Sequence, residues 1–174
     1  GVSDNEQRSL TKKNVFSVLR HLGFSIELFS LQSEVWFYRN VHANDYKIRE
    51  MIAAQMSDSN RRIDDRVLNE QVLESLKKYP KGKHVIVLHT KGSHYAYSER
   101  HPESFAQFKP ECKSNDAACS LDALINSFDN SVLYVDHFIT KVFDQLRDKK
   151  AIVFYAADHA ESINEREHLH PTPR

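Results

Sequence analysis

No stretch of this sequence approaches the roughly 18–20 consecutive apolar residues that a membrane-crossing helix requires. Nothing in it anchors the chain in a bilayer on its own. The opening Gly1-Val2-Ser3-Asp4-Asn5 lacks the basic and then apolar start of a secretory leader, and the missing initiator methionine reads as a processed or excised chain. Neither sign of charge is in excess: 24 Lys and Arg face 24 Asp and Glu, so there is no electrostatic reason to expect a nucleic-acid partner. Internal repeats and low-complexity tracts are missing too. Cysteine is scarce, with Cys112 and Cys119 alone in a polar segment. At that spacing they either close a small disulfide or remain two exposed thiols; a disulfide would imply an oxidising compartment.

What is present suits a soluble globular domain, or a large part of one: 174 residues, 40% hydrophobic and 28% charged. The ten histidines are a high count, and several fall late in the chain. Ser9 or Thr11 is expected to cap a helix carrying Val15, Val18, Leu19 and Leu22, with Gly23 ending it. Residues 24–28 alternate apolar and polar, as a strand does. A short helix is expected around Ile48 to Ala54. Asp64 is expected to cap a further helix with Val67, Leu68, Val72 and Leu76, broken by Pro80-Lys81-Gly82. The apolar run His84–His89 suits a strand covered on both faces. Residues 90–119 read as loop. From Ser120 the helical period holds through Leu121, Leu124, Ile125, Phe128, Val132, Val135, Ile139, Val142 and Leu146, and Ala151–Ala156 follows as a second buried-type strand. This order predicts an α/β fold with a mainly parallel sheet flanked by helices.

In such sheets sites lie at the carboxyl ends of strands. Two strands here run into polar clusters, His89-Thr90-Lys91-Gly92-Ser93-His94 and Asp158-His159-Ala160-Glu161-Ser162, the latter followed by His168-Leu169-His170. Carboxylate and neutral imidazole are good zinc ligands, so His94, Asp158, His159 and His170 are candidates to converge on one or two metals. Taken singly, His89 is more often a backbone-bonded strand end, His94 a loop histidine, and His168 and His170 exposed histidines near a chain end. The Asp158-His159 pair is more telling, because placing both at a buried strand end is costly without a partner. Glu99-Arg100-His101 and Arg61-Arg62 read as solvated surface, and Trp36-Phe37-Tyr38 as core or partner packing rather than a lipid-facing platform.

Several of these motifs stand in an order that resembles the catalytic domain of bacterial lipid A phosphoethanolamine transferases, of the alkaline phosphatase/sulfatase-like superfamily. The carrying segments are Val87 to His94, Pro110-Glu111-Cys112, Asn126 to Ser131 and Ala157 to Ser162 with Leu169-His170. Asn14 to Tyr38, Phe154 to His159 and Ile163 to His168 look like the branch that modifies the Kdo sugar of lipopolysaccharide.

The resemblance implies a partial, incomplete sulfatase-like periplasmic domain over residues 1–174, with the membrane domain lying upstream. It implies transfer of phosphoethanolamine from phosphatidylethanolamine to lipopolysaccharide, at the periplasmic face of the inner membrane. In the family a threonine attacks the donor phosphate and carries the covalent phosphoethanolamine, while zinc lowers the pKa of that hydroxyl. Asp158 and His159 then look like zinc ligands. His94 and His170 look like residues for substrate phosphate or a second zinc, and His89 like a catalytic residue for proton transfer or phosphate contact. Calcium is a candidate modulator. Cys112 and Cys119 match a family disulfide. The family's threonine and glutamate ligand map onto no residue here, so the chain alone is expected to be inactive. Its Asp-His-Gly glycine is Ala160, and the glycine after the last histidine is Pro171. An alanine would be strained there if the position needs positive φ. The competing readings are a sulfatase or phosphodiesterase of the same superfamily, and a non-catalytic fragment.

Overall fold

The first helix starts where Asn14 and Ser17 exchange hydrogen bonds. Asn14 Oδ1 accepts from Ser17 N and Ser17 Oγ accepts from Asn14 N, both at 3.0 Å. This reciprocal cap satisfies amides at the open helix start. The computed structural model describes residues 14–32, 41–56, 63–113, 119–160 and 163. Ser9 and Thr11, the expected caps, lie outside them, and Asn14 does the capping. The helix, α1, is Val15–His21. Gly23 ends it at φ 83, the left-handed turn that glycine reaches without a Cβ penalty.

The described residues belong to two compact units, Gly1–Thr90 and Lys91–Arg174. In the first, β1 (Phe24–Ser30), β2 (Asp45–Lys47) and β3 (Lys83–His89) form a parallel sheet in the order β2-β1-β3. Helices α2 (Arg49–Gln55) and α3 (Arg66–Lys78) complete the unit. Asp64 Oδ1 accepts from Arg66 N at 3.1 Å where α3 begins, and the helix ends just before Pro80, as expected. Val67, Leu68, Gln71, Val72 and Ser75 make its buried face.

The burial of the two long strands is the reverse of the expectation. The apolar run of β3 is only half-buried, because β3 is an edge strand among the described residues. The alternating strand β1 sits in the middle and is covered on both faces: Ile26, Glu27, Leu28, Phe29 and Ser30 are all buried. A buried Glu27 is tolerable because it is paired. Its Oε2 lies 2.9 Å from His84 Nε2 and its Oε1 3.5 Å from Lys78 Nζ.

The second unit is organised by a long helix, α4 (Leu121–Leu146), capped by Ser120 Oγ accepting from Ala123 N at 3.2 Å. Its buried face differs from the apolar stripe read in the sequence. Ala123, Ser127, Asn130, Ser131, Tyr134, Val135, Phe138 and Val142 are buried, whereas Leu121, Val132 and Phe143 are exposed. The buried face meets irregular chain, whose free backbone groups need polar partners. Ser127 Oγ accepts from Cys112 N at 2.8 Å. Asn130 Oδ1 accepts from Gln107 N and Phe108 N at 3.0 and 2.9 Å. Asn130 Nδ2 donates to Phe108 O and Glu111 Oε1 at 2.9 and 3.0 Å. Aromatic edges fill the gaps: Tyr97 meets Phe128 at 5.2 Å and Phe105 meets Tyr134 at 4.9 Å, both edge-on.

The expected strand at 151–156 is not formed. Residues 151–157 join no strand ladder among the described residues, and Ile152 and Phe154 are 82% and 92% exposed. An apolar, β-branched run becomes a strand only where a neighbouring strand pairs with it.

Candidate active site

His89 stands at the carboxyl end of β3, directly across the ladder from Ser30 at the end of β1. Its Nδ1 is 3.3 Å from Ser30 Oγ. Gln32 N donates to the same Oγ at 3.0 Å, and Leu31 N donates to His89 O at 2.9 Å. The strand end predicted to carry chemistry therefore exists, and it holds an imidazole through both backbone and ring.

His94 belongs to the second unit, beyond a turn in which Gly92 sits at φ 55. A carbonyl oxygen only accepts, so the 2.6 Å contact between His94 Nδ1 and Tyr95 O assigns the proton to Nδ1. In the neutral ring the lone pair then lies on Nε2, the form that metal-ligating histidines adopt. Arg100 holds this turn: its Nε donates to His94 O at 2.7 Å and its Nη2 to Tyr95 O at 2.8 Å.

Asp158 and His159 are exposed neighbours. His159 N donates to Asp158 Oδ1 at 3.1 Å, and the two side chains lie 3.9 Å apart, Nε2 to Oδ2. His159 Nδ1 meets Ala160 O at 3.0 Å, which again leaves the neutral ring's lone pair on Nε2. Carboxylate plus such an imidazole fits zinc chemistry, though two donors fall short of the four that a zinc centre takes. Among the described residues no group of three or more His, Cys, Asp or Glu is arranged around a metal position. His168 and His170 lie outside the described residues, as do Pro171, Arg61-Arg62 and Trp36-Phe37-Tyr38. Ala160 is not strained: among the described residues His42 is the one non-glycine residue at positive φ.

Cys112 and Cys119 form a disulfide, closing the open choice between a bond and two thiols. Glu99-Arg100-His101 is not merely solvated surface. His101 is buried, with Nε2 2.9 Å from Glu111 Oε1, and Arg100 clamps the His94 turn. The signal for this network was available in the Pro110-Glu111-Cys112 and Asn126–Ser131 motifs. Their residues bind one another: Asn126 Nδ2 donates to Pro110 O at 3.0 Å, Ser127 takes Cys112 N, and Asn130 takes Glu111. Those motifs are scaffold around the loop that follows His94.

The chain is 58% identical over all 174 residues to the Kdo(2)-lipid A phosphoethanolamine 7''-transferase of Salmonella typhimurium, and 57% to that of Escherichia coli K12. It spans 31% of the length of each of these relatives. Its fold is similar to the crystal structure of the soluble domain of lipooligosaccharide phosphoethanolamine transferase A from Neisseria meningitidis. That match has a TM-score of 0.64 and 29% identity, and covers 76% of this chain and 40% of that one. The sequence profile of the family described as Sulfatase matches residues 1–174. With that match over its whole length, the chain belongs to the sulfatase family.

Proposed function

We propose that this chain is part of the catalytic domain of a phosphoethanolamine transferase. The enzyme takes phosphoethanolamine from phosphatidylethanolamine and places it on the Kdo–lipid A region of lipopolysaccharide. It works at the periplasmic face of the inner membrane, through segments outside this chain. The observation that carries the reading is the 58% identity over all 174 residues to a relative of that name.

Asp158 and His159 are the residues that would hold zinc, and their donor chemistry fits it. When bound, zinc lowers the pKa of a hydroxyl nucleophile and offsets charge on phosphoryl oxygens. His94 presents Nε2 to the donor phosphate or a second metal, with Arg100 fixing the turn from which it projects. His170 joins it in that role, and His89 holds or moves a proton at Nε2 from the end of β3. No residue of this chain is assigned as the nucleophile.

The test is head-group loss from a fluorescent phosphatidylethanolamine, in the longer protein that contains this chain. Loss in the parent that disappears in an Asp158→Ala/His159→Ala variant supports the reading. Release of sulfate from an aryl sulfate with the lipid untouched would replace it with a sulfatase.

A further inference from the structure

We propose that Ser30 is a positioning residue for His89, holding its imidazole so that Nε2 can gain or lose a proton without the ring losing its anchor. The proposal rests on the phosphoryl-transfer reading of His89. Ser30 is fully buried at the last position of the central strand and is the register partner of His89 across the parallel ladder. Its oxygen is fixed from behind, since Gln32 N donates to it at 3.0 Å. From that fixed point Oγ reaches His89 Nδ1 at 3.3 Å. The backbone is tied at the same place: Leu31 N donates to His89 O at 2.9 Å and Gln32 Nε2 to Thr90 O at 3.4 Å. The segment Ser30–Gln32 thus holds both the ring and the main chain of the next strand's end.

The kind of partner separates His89 from the other candidate histidines. His94 and His159 each turn Nδ1 to a carbonyl oxygen. A carbonyl can only accept, which commits those neutral rings to one tautomer. A serine hydroxyl both donates and accepts. When the proton of neutral His89 sits on Nε2, the Ser30 hydroxyl donates to Nδ1. When Nε2 bears the lone pair, or when the ring is imidazolium, Nδ1–H donates to the Ser30 oxygen. A proton therefore passes between Nε2 and an oxygen of the reacting phosphate or its leaving group while Nδ1 keeps its partner throughout. The serine anchor differs in that both neutral tautomers of His89 keep a partner at Nδ1.

The experiment has two arms, each comparing the parent with Ser30→Ala and Ser30→Thr. Imidazole nitrogen resonances of the 15N-histidine-labelled 174-residue chain are expected to move for His89 in Ser30→Ala. Those of His84 and His94 stay in place, and Ser30→Thr brings His89 back toward the parent position. In the longer protein, Ser30→Ala is expected to lower kcat about tenfold, less than the roughly 10²–10⁴-fold that a proton-transfer group itself contributes, with KM little changed. His89 resonances that ignore Ser30→Ala, or a kcat that does, would overturn the proposal. Head-group loss absent from the parent itself, with the His89 resonances still coupled to Ser30, would instead overturn the transferase reading on which it rests.

Discussion

Arg100 grips the backbone of His94, donating from Nε to its carbonyl oxygen at 2.7 Å while Nη2 donates to Tyr95 O at 2.8 Å. The guanidinium fork thus fixes the backbone from which the candidate ligand projects. Lysine offers a point charge in place of the fork. Arg100→Lys is expected to cut transfer activity about tenfold or more in the longer protein, since a small misplacement of a positioned group is that costly. The melting temperature should barely change. A variant as active as the parent would remove Arg100 from the account.

Asn130 makes four hydrogen bonds to the loop around Phe108 and Glu111 while itself fully buried. Asn130→Ala leaves Gln107 N, Phe108 N, Phe108 O and the Glu111 carboxyl short of a partner. The expected cost is about 3 kcal/mol, or a fall of about 6–12 °C in melting temperature. Thermal unfolding followed by circular dichroism checks it. Val132→Ala, an exposed change two residues along the same helix, is the control and should shift little.

The disulfide between Cys112 and Cys119 spans seven residues of sequence. On a chain-entropy basis so short a loop contributes about 2–3 kcal/mol. Its Cys112 end is anchored by N–H donation to Ser127 Oγ at 2.8 Å. Reduction is expected to lower the melting temperature by several degrees, and Cys112→Ser/Cys119→Ser should show the same fall without responding further to reductant.

Lys78 bridges β1 and β2 through Glu27 and Asp45, and its hydrogen bond to Asp45 is the main reason its ammonium is held well above the ordinary lysine range. Because the folded pKa is raised, this stabilisation is complete below the unfolded lysine value of about 10.4 and fades as pH rises beyond it. Half of the side chain is exposed, so screening keeps the effect small. Lys78→Met should make stability fall less steeply above pH ~10 than in the parent, as measured by denaturant midpoints across that range.

Much of the secondary structure was legible because its signals are local. Gly23, Asp64, Pro80 and Ser120 mark helix ends where such residues should, and the period of residues 121–146 gave the longest helix. The burial of strands was not legible, because it depends on which strand takes the middle of the sheet. The apolar β3 took an edge, and the alternating β1 took the centre with Glu27 made tolerable by His84 and Lys78. The inner face of α4 was missed for a related reason. It packs on a loop whose open backbone groups call for Ser127 and Asn130 rather than leucine. Apolarity likewise suggested a strand at 151–156, but pairing decides strands, and none is made there among the described residues. Of the candidate site, the His89 strand end could be read directly from sequence, whereas the Asp158-His159 pair, expected at a buried strand end, stands exposed after residues that join no strand ladder among the described residues. Ser30 and Arg100 could not, because each acts on a histidine that the fold, not the sequence spacing, brings to it.

The central claim is transfer of phosphoethanolamine to the Kdo–lipid A region, and the mass of lipopolysaccharide from cells making the longer protein tests it most directly. The account predicts one added phosphoethanolamine that fragmentation places on Kdo, absent when Asp158→Asn is introduced. Lipopolysaccharide of unchanged mass in cells that make the parent protein, or an addition that survives Asp158→Asn, would contradict it.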